Sequence, residues 1–209
     1  MREYAVFLRE AWHRYHTTGA VAPSSRFLAR AMTRHVRCRS QPARILEVGP
    51  GTGVFTRQLA ALMGPHDELV MVEVSARFVQ HLEGLLQSDP QMAKHRGRIR
   101  LVHAAIEAAP LEPPFDFILS GLPFNNFPAA QVRLILRTLR RLSRTGTVLS
   151  FFEYLWLRPL RIACSSASTR RQLRAVAAAI QSWQKRYGIG TDVVLRNLPP
   201  ALVRHWRFR

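Results

Sequence analysis

The sequence predicts an α/β domain built on a doubly wound, mostly parallel sheet, and three observations carry that expectation. From residue 44 onward, short β-branched apolar runs alternate with stretches of helical periodicity. The first of these runs ends in a glycine-rich turn that opens a helix. The last two flank Asn197-Leu-Pro-Pro200 and read as an antiparallel hairpin closing a sheet edge.

Taken in order, the elements begin with a helix at Arg2–His16, where Tyr4, Phe7, Leu8, Ala11 and Tyr15 fall at helical spacing with Trp12 beside them. Such a helix either docks on the domain's own core or lies in a lipid interface. The pattern breaks at residues 17–25, and Ser24 or Ser25 caps a second helix, Arg26–His35. Strands are expected at Arg44–Val48, Glu68–Val74, Ile99–Ala104, Phe115–Ser120 and Thr147–Tyr154. Helices are expected at Thr56–Met63, Ala76–Gln87, Ala129–Leu142 and Ser168–Arg186. Asp192–Arg196 and Val203–Phe208 form the hairpin, for seven strands in all. Residues 1–40 are expected as helices packed on a single domain spanning 41–209.

Composition narrows the function. The chain has 209 residues, 47% of them apolar, enough for one buried core. No apolar run approaches the ~18 residues of a membrane span, and the strongest, Thr147–Leu157, contains Glu153. The charged N-terminus lacks a secretory apolar stretch, and Cys38 and Cys164 stand alone. A cytosolic chain without a metal site is the expectation. The net charge of +18 is unevenly placed: residues 1–44 carry +7, residues 45–132 carry −3 and residues 133–209 carry +14. Basic ends around a mildly acidic middle call for an anionic partner, either nucleic acid or a phospholipid surface.

The strongest local signal is Ile45-Leu-Glu-Val-Gly-Pro-Gly-Thr-Gly-Val-Phe-Thr56. A dinucleotide frame fails here, because it needs glycine at position 54 or 56, which hold Val54 and Thr56. Glu73, ending the second strand, is placed to accept hydrogen bonds from ribose hydroxyls. The run resembles motif I of the class I S-adenosylmethionine (SAM) methyltransferases, which implies a Rossmann-like fold and SAM as cofactor. Under that resemblance Glu47, Gly49, Pro50, Gly51, Thr52, Gly53, Glu73 and Val74 bind the cofactor. Ala104 and Ala105, or Glu107, meet the adenine where many relatives carry an aspartate.

After the fourth strand comes Ser120-Gly-Leu-Pro-Phe-Asn-Asn-Phe-Pro128. This loop is similar to the N-L-P-Y-N loop of rRNA adenine dimethyltransferases, but Gly121 stands where that family has its first asparagine. Without that acceptor, a planar base amine loses a buried hydrogen bond. Together with Thr18–Met32, the Ser120–Pro123 run resembles instead the bacterial phospholipid N-methyltransferases of the Agrobacterium/Sinorhizobium type. Ornithine-lipid N-methyltransferases look similar. The resemblance implies stepwise methylation of phosphatidylethanolamine to phosphatidylcholine, with Thr18, Gly19, Ser24, Ser25 and Ser120 adding to the cofactor site. It implies further that the first helix binds the inner face of the cytoplasmic membrane and covers the site. Catalytic candidates are Gly121 and Leu122 at the amine, Phe124, Tyr15 and Tyr4 as aromatic wall, and Tyr15, His16 or Glu153 as proton acceptor or relay. Arg158 and Arg161 are candidates for the lipid phosphate. The expected partners are an anionic membrane surface and an amine-bearing lipid. RNA is disfavoured by Gly121 and by the lack of a separate RNA-binding domain.

Overall fold

The computed structural model describes residues 24–155 and 166–209. The first helix, Tyr15, His16, Thr18, Gly19, Arg158 and Arg161 lie outside them. The elements are α1 (Arg26–Met32), α2 (Arg34–Arg37), β1 (Arg44–Val48), α3 (Val54–Ala60), β2 (Glu68–Glu73), α4 (Ala76–Ser88) and α5 (Pro90–Ala93). They continue with β3 (Ile99–His103), β4 (Phe115–Ser120), α6 (Ala129–Arg141), β5 (Ser143–Tyr154), α7 (Ala167–Tyr187), β6 (Gly188–Val194) and β7 (Ala201–Arg207).

Seven strands make one sheet in the order β3-β2-β1-β4-β5-β7-β6. β1 to β5 pair in parallel, while β7 runs antiparallel between β5 and β6. The winding direction reverses between β1 and β4, so the loops leaving those two strands part there and open a crevice. Side-chain alternation fills both faces. Leu46, Val48, Val70, Val72 and Ile118 pack under α6 and α7 through Ile135, Leu139, Val176 and Ile180. Ile45, Leu69 and Met71 pack on the other side with Leu28, Met32, Phe55, Leu59 and Leu82 from α1, α3 and α4.

Several boundaries differ from the sequence reading, and three of the differences have a direct physical cause. The expected helix Arg26–His35 is split at Thr33, whose hydroxyl donates back to the Ala29 carbonyl at 2.8 Å while its ψ opens to 8°. A threonine bonded to the preceding turn competes with helix continuation. β5 starts at Ser143 rather than Thr147, passing a bulge at Gly146, where φ is 93°. β6 starts directly after α7 at Gly188 and ends at Val194, because cross-strand pairing to β7 recruits two glycines that propensity disfavours.

Candidate active site

The crevice is built from the carboxyl ends of β1 to β4. Gly49, Gly51 and Gly53 carry φ values of 70°, 56° and 77°, a left-handed series that only glycine adopts without strain. The backbone therefore turns sharply from β1 into α3, with Pro50 packed inside the turn and Thr52 exposed at its tip. Val48, Gly49, Val72, Glu73, Val74, Ala104–Glu107, Leu122, Phe127 and Ile135 line a cleft that is open to solvent at its mouth. Its walls are mainly aliphatic and aromatic, with carboxyls at two points.

Glu73 is the first. One carboxylate oxygen, Oε2, accepts the Gly51 N–H at 3.1 Å, and Oε1 accepts those of Val74 and Ser75 at 2.9 Å each. Burial raises its pKa above the ordinary value, opposed by those three N–H donors. Glu107 is the second. The Gln131 side-chain amide donates to its Oε1, while Oε2 is shut off from solvent with no partner among the described residues. Burial raises this pKa too. Glu47 lies behind the turn, fully buried, and accepts the Thr56 hydroxyl at 2.7 Å. Desolvation, and secondarily the Glu73 charge, push its pKa up to about 8.

The loop after β4 closes the crevice floor. Gly121 donates its N–H to the Val48 carbonyl at 2.8 Å. A Cβ at this position would sit 2.5 Å from the Gly49 carbonyl oxygen, so the β1 and β4 loops touch through backbone alone. Leu122 leans on Gly49, and its N–H reaches the buried Ser120 hydroxyl at 3.4 Å.

The structure thus brings together Gly49, Gly51, Gly53, Glu73, Val74, Ala104, Ala105, Ser120, Gly121 and Leu122. Other expected residues stand elsewhere. Phe124 is buried against Phe151 at 5.4 Å, in the core rather than on the crevice wall. Phe127, which the sequence reading did not single out, supplies the aromatic lining instead. Glu153 accepts from the Arg204 guanidinium at 2.9 Å and is absent from the crevice lining, since β5 carries it toward β7. Ser25 caps α1 by accepting the Leu28 N–H at 3.2 Å, and its own N–H goes to Asn197. Ser24 and Ser25 therefore lie at the β6–β7 end of the sheet, outside the crevice lining. Phe127, Gln131 and Ile135 carry no local motif; only the packing of the loop after β4 and of α6 against the sheet brings them beside Glu107, the adenine candidate.

These residues fit SAM. The glycine turn leaves the backbone open, Glu73 offers acceptors at the end of β2, and Glu107 lines the same largely aliphatic cleft. Among the described residues no cluster of His, Cys, Asp or Glu suits a metal ion.

Strand order and crevice together give the Rossmann-like fold of the class I SAM-dependent methyltransferases. A family model for a methyltransferase domain matches residues 45–146. Ornithine lipid N-methyltransferase from Singulisphaera acidiphila is 25% identical over 158 residues, covering 75% of this chain and 81% of that protein. Among solved structures, the O-methyltransferase from Bacillus cereus in complex with S-adenosylhomocysteine superposes with a TM-score of 0.65 at 18% identity, over 97% of this chain and 91% of that one. A glycopeptide N-methyltransferase complexed with S-adenosylhomocysteine gives a TM-score of 0.63 at 14% identity, over 87% and 86%. Both share the fold.

Proposed function

We propose that this chain methylates the amine head group of a membrane lipid, taking phosphatidylethanolamine stepwise toward phosphatidylcholine. The observation that carries the reading is Gly121. Its contact with the Gly49 carbonyl leaves no room for the asparagine that a base-methylating loop places there. The likeness to an ornithine lipid N-methyltransferase and the two basic ends of the chain agree with it.

SAM supplies an electrophilic methyl group on a sulfonium centre. The protein's part is proximity: an amine held in line, neutral, at the loop after β4. The apolar crevice walls from Leu122, Phe127 and Ile135 disfavour the charged ammonium, which favours loss of its proton before attack. In the first two transfers, where the neutral amine still carries hydrogens, the carbonyls of Ser120 and Gly121 hold them. Each turnover forms one N–C bond, breaks one S–C bond and releases one proton.

Ornithine lipid is the second reading, favoured by the relative from Singulisphaera acidiphila. Transfer of labelled methyl to phosphatidylethanolamine vesicles, ornithine-lipid vesicles and ribosomal RNA, run side by side, separates the readings. Label in a lipid names the substrate. Label only in RNA would overturn the lipid assignment.

A further inference from the structure

Three of the five exposed large aliphatic side chains among the described residues fall within six positions: Val193 (60% exposed), Leu195 (69%) and Leu198 (73%). They sit at the end of β6 and in the loop before β7. That loop is a built element. Buried Asn197 accepts the Ser25 N–H at 2.8 Å and donates to the Pro199 carbonyl at 2.7 Å. The Pro200 carbonyl accepts the Leu155 N–H at 2.8 Å. Anchored on both sides and stiffened by two prolines, the loop holds Leu198 out in water.

Its position matters. Tyr154, ending β5, pairs with Ala201, starting β7, so residues 195–200 lie beyond the carboxyl ends of the parallel strands. The SAM crevice opens at that same edge. From β4 to β6 there are three strand spacings, roughly 14 Å. The corner is also cationic. The Arg26 and Arg196 guanidiniums both lie over the Phe27 ring, at 5.0 and 5.4 Å. Neither reaches a carboxylate among the described residues. The acids nearest in the sheet, Asp192 and Glu153, are already tied to Arg34 and Arg204.

We infer that the β6–β7 corner is a membrane-docking surface, with Leu195 and Leu198 entering the apolar boundary of an anionic bilayer while Arg26 and Arg196 meet its phosphates. Exposed leucines between unpaired arginines match such an interface, whose anionic head groups attract cations and whose acyl boundary takes up aliphatic side chains. The edge that carries the corner also carries the crevice mouth, so docking turns the mouth toward the lipid. This inference rests on the lipid reading above and adds a second contact independent of the first helix.

The test uses the full chain and vesicles of phosphatidylethanolamine with phosphatidylglycerol. The double variant Leu195→Ser/Leu198→Ser should bind these vesicles at least about tenfold more weakly, with affinity for S-adenosylhomocysteine unchanged. Leu134→Ser, at an exposed site on α6, should bind them as the unaltered chain does. Arg196→Gln should weaken binding at low salt, and high salt should erase the difference. Equal sedimentation of the double variant and the unaltered chain overturns the proposal and leaves the lipid reading standing. If the unaltered chain ignores vesicles the docking surface is also overturned, and methyl transfer to the lipid in detergent micelles then decides the lipid reading separately. A double variant that changes from dimer to monomer with vesicle binding intact overturns it in favour of a contact between copies.

Discussion

Glu73 Oε2 accepts the backbone N–H of Gly51 at 3.1 Å, tying the end of β2 to the glycine turn after β1. The carboxylate expected to meet the ribose therefore also shapes the turn beside it. Replacing Glu73 by Ala removes both. Affinity for S-adenosylhomocysteine should fall roughly 10- to 100-fold, the magnitude expected for lost hydrogen bonds to a charged group. Titration calorimetry measures it, and circular dichroism checks the fold. Glu73→Gln presents an amide to backbone donors and should recover only part of the loss. Binding unchanged in Glu73→Ala would remove Glu73 from the cofactor site.

Gly121 and the Gly49 carbonyl define a second close approach, where an added Cβ lies at 2.5 Å. Both partners are backbone, so neither yields cheaply. Gly121→Ala should destabilise the fold by about 1–3 kcal/mol, as overpacking does, and should weaken cofactor binding by separating the two loops. Gly121→Asn should do more damage without gaining activity on RNA. Thermal unfolding with and without S-adenosylhomocysteine tests both variants. A Gly121→Asn chain that folds normally and methylates adenine would refute the steric argument.

How much of this was legible in the residues depends on the range of the physics involved. β1 and β4 sit where the sequence reading placed them, because buried parallel strands are continuous apolar runs bounded by breakers. The glycine turn and Glu73 were legible for a similar reason: positive φ and a strand-end acid are local demands. β6 was misplaced by four residues at its start because Gly188 and Gly190 gain strand structure only by pairing with β7. Glu153 in its apolar run fits a proton relay or an arginine's partner equally by sequence, and the partner, Arg204, lies 51 residues away across the sheet. Phe124 and Phe127 are indistinguishable by composition. The turn at Phe124–Asn126 sends the first into the core beside Phe151 and leaves the second lining the crevice.

Glu107 has one carboxyl oxygen held by Gln131 and the other buried without a partner at the crevice wall, among the described residues. A buried, unpartnered acceptor costs free energy, and a ligand that donates to it recovers that cost. The adenine 6-amino group is the donor that a SAM-shaped ligand carries. The unaltered chain should accordingly prefer S-adenosylhomocysteine over its 6-oxo inosine analogue, which has no amine to donate. Glu107→Ala should bind the adenine form roughly tenfold more weakly and should lose the preference. A preference that survives the substitution would assign adenine recognition to the Ala104–Ala105 backbone instead.

Stability should have a pH profile shaped by two sets of groups of opposite sense, carboxyls and histidines. Glu47, with an unfolded value of 4.5 and a folded value of about 8, contributes stability that is complete below pH 4.5 and lost as pH rises through 8. Glu73 and Glu107, raised by burial, act in the same direction. His35 is lowered from 6.5 to about 4 by burial first, then by His205, Arg34 and Arg207, with Asp192 opposing. Its contribution is complete above pH 6.5 and lost as pH falls toward 4. His205, also lowered by burial, adds to that side; its ring lies 4.7 Å from that of His35 and is held between Ser150 and Asp192 at 2.8 and 3.1 Å. Between pH 4.5 and 6.5 the two slopes oppose each other, and above 6.5 the carboxyls act alone. Urea unfolding should therefore give a nearly level stability from pH 5 to 6, then a fall of about 2 kcal/mol by pH 8 from Glu47 alone, at about 1.4 kcal/mol per pH unit. Glu47→Gln keeps an acceptor for Thr56 and has no proton to lose. It should abolish most of the alkaline fall and expose the histidine slope on the acid side. An unaltered alkaline limb in that variant would mean that Glu47 is ionised in the folded protein at pH 7, and that another group carries the titration.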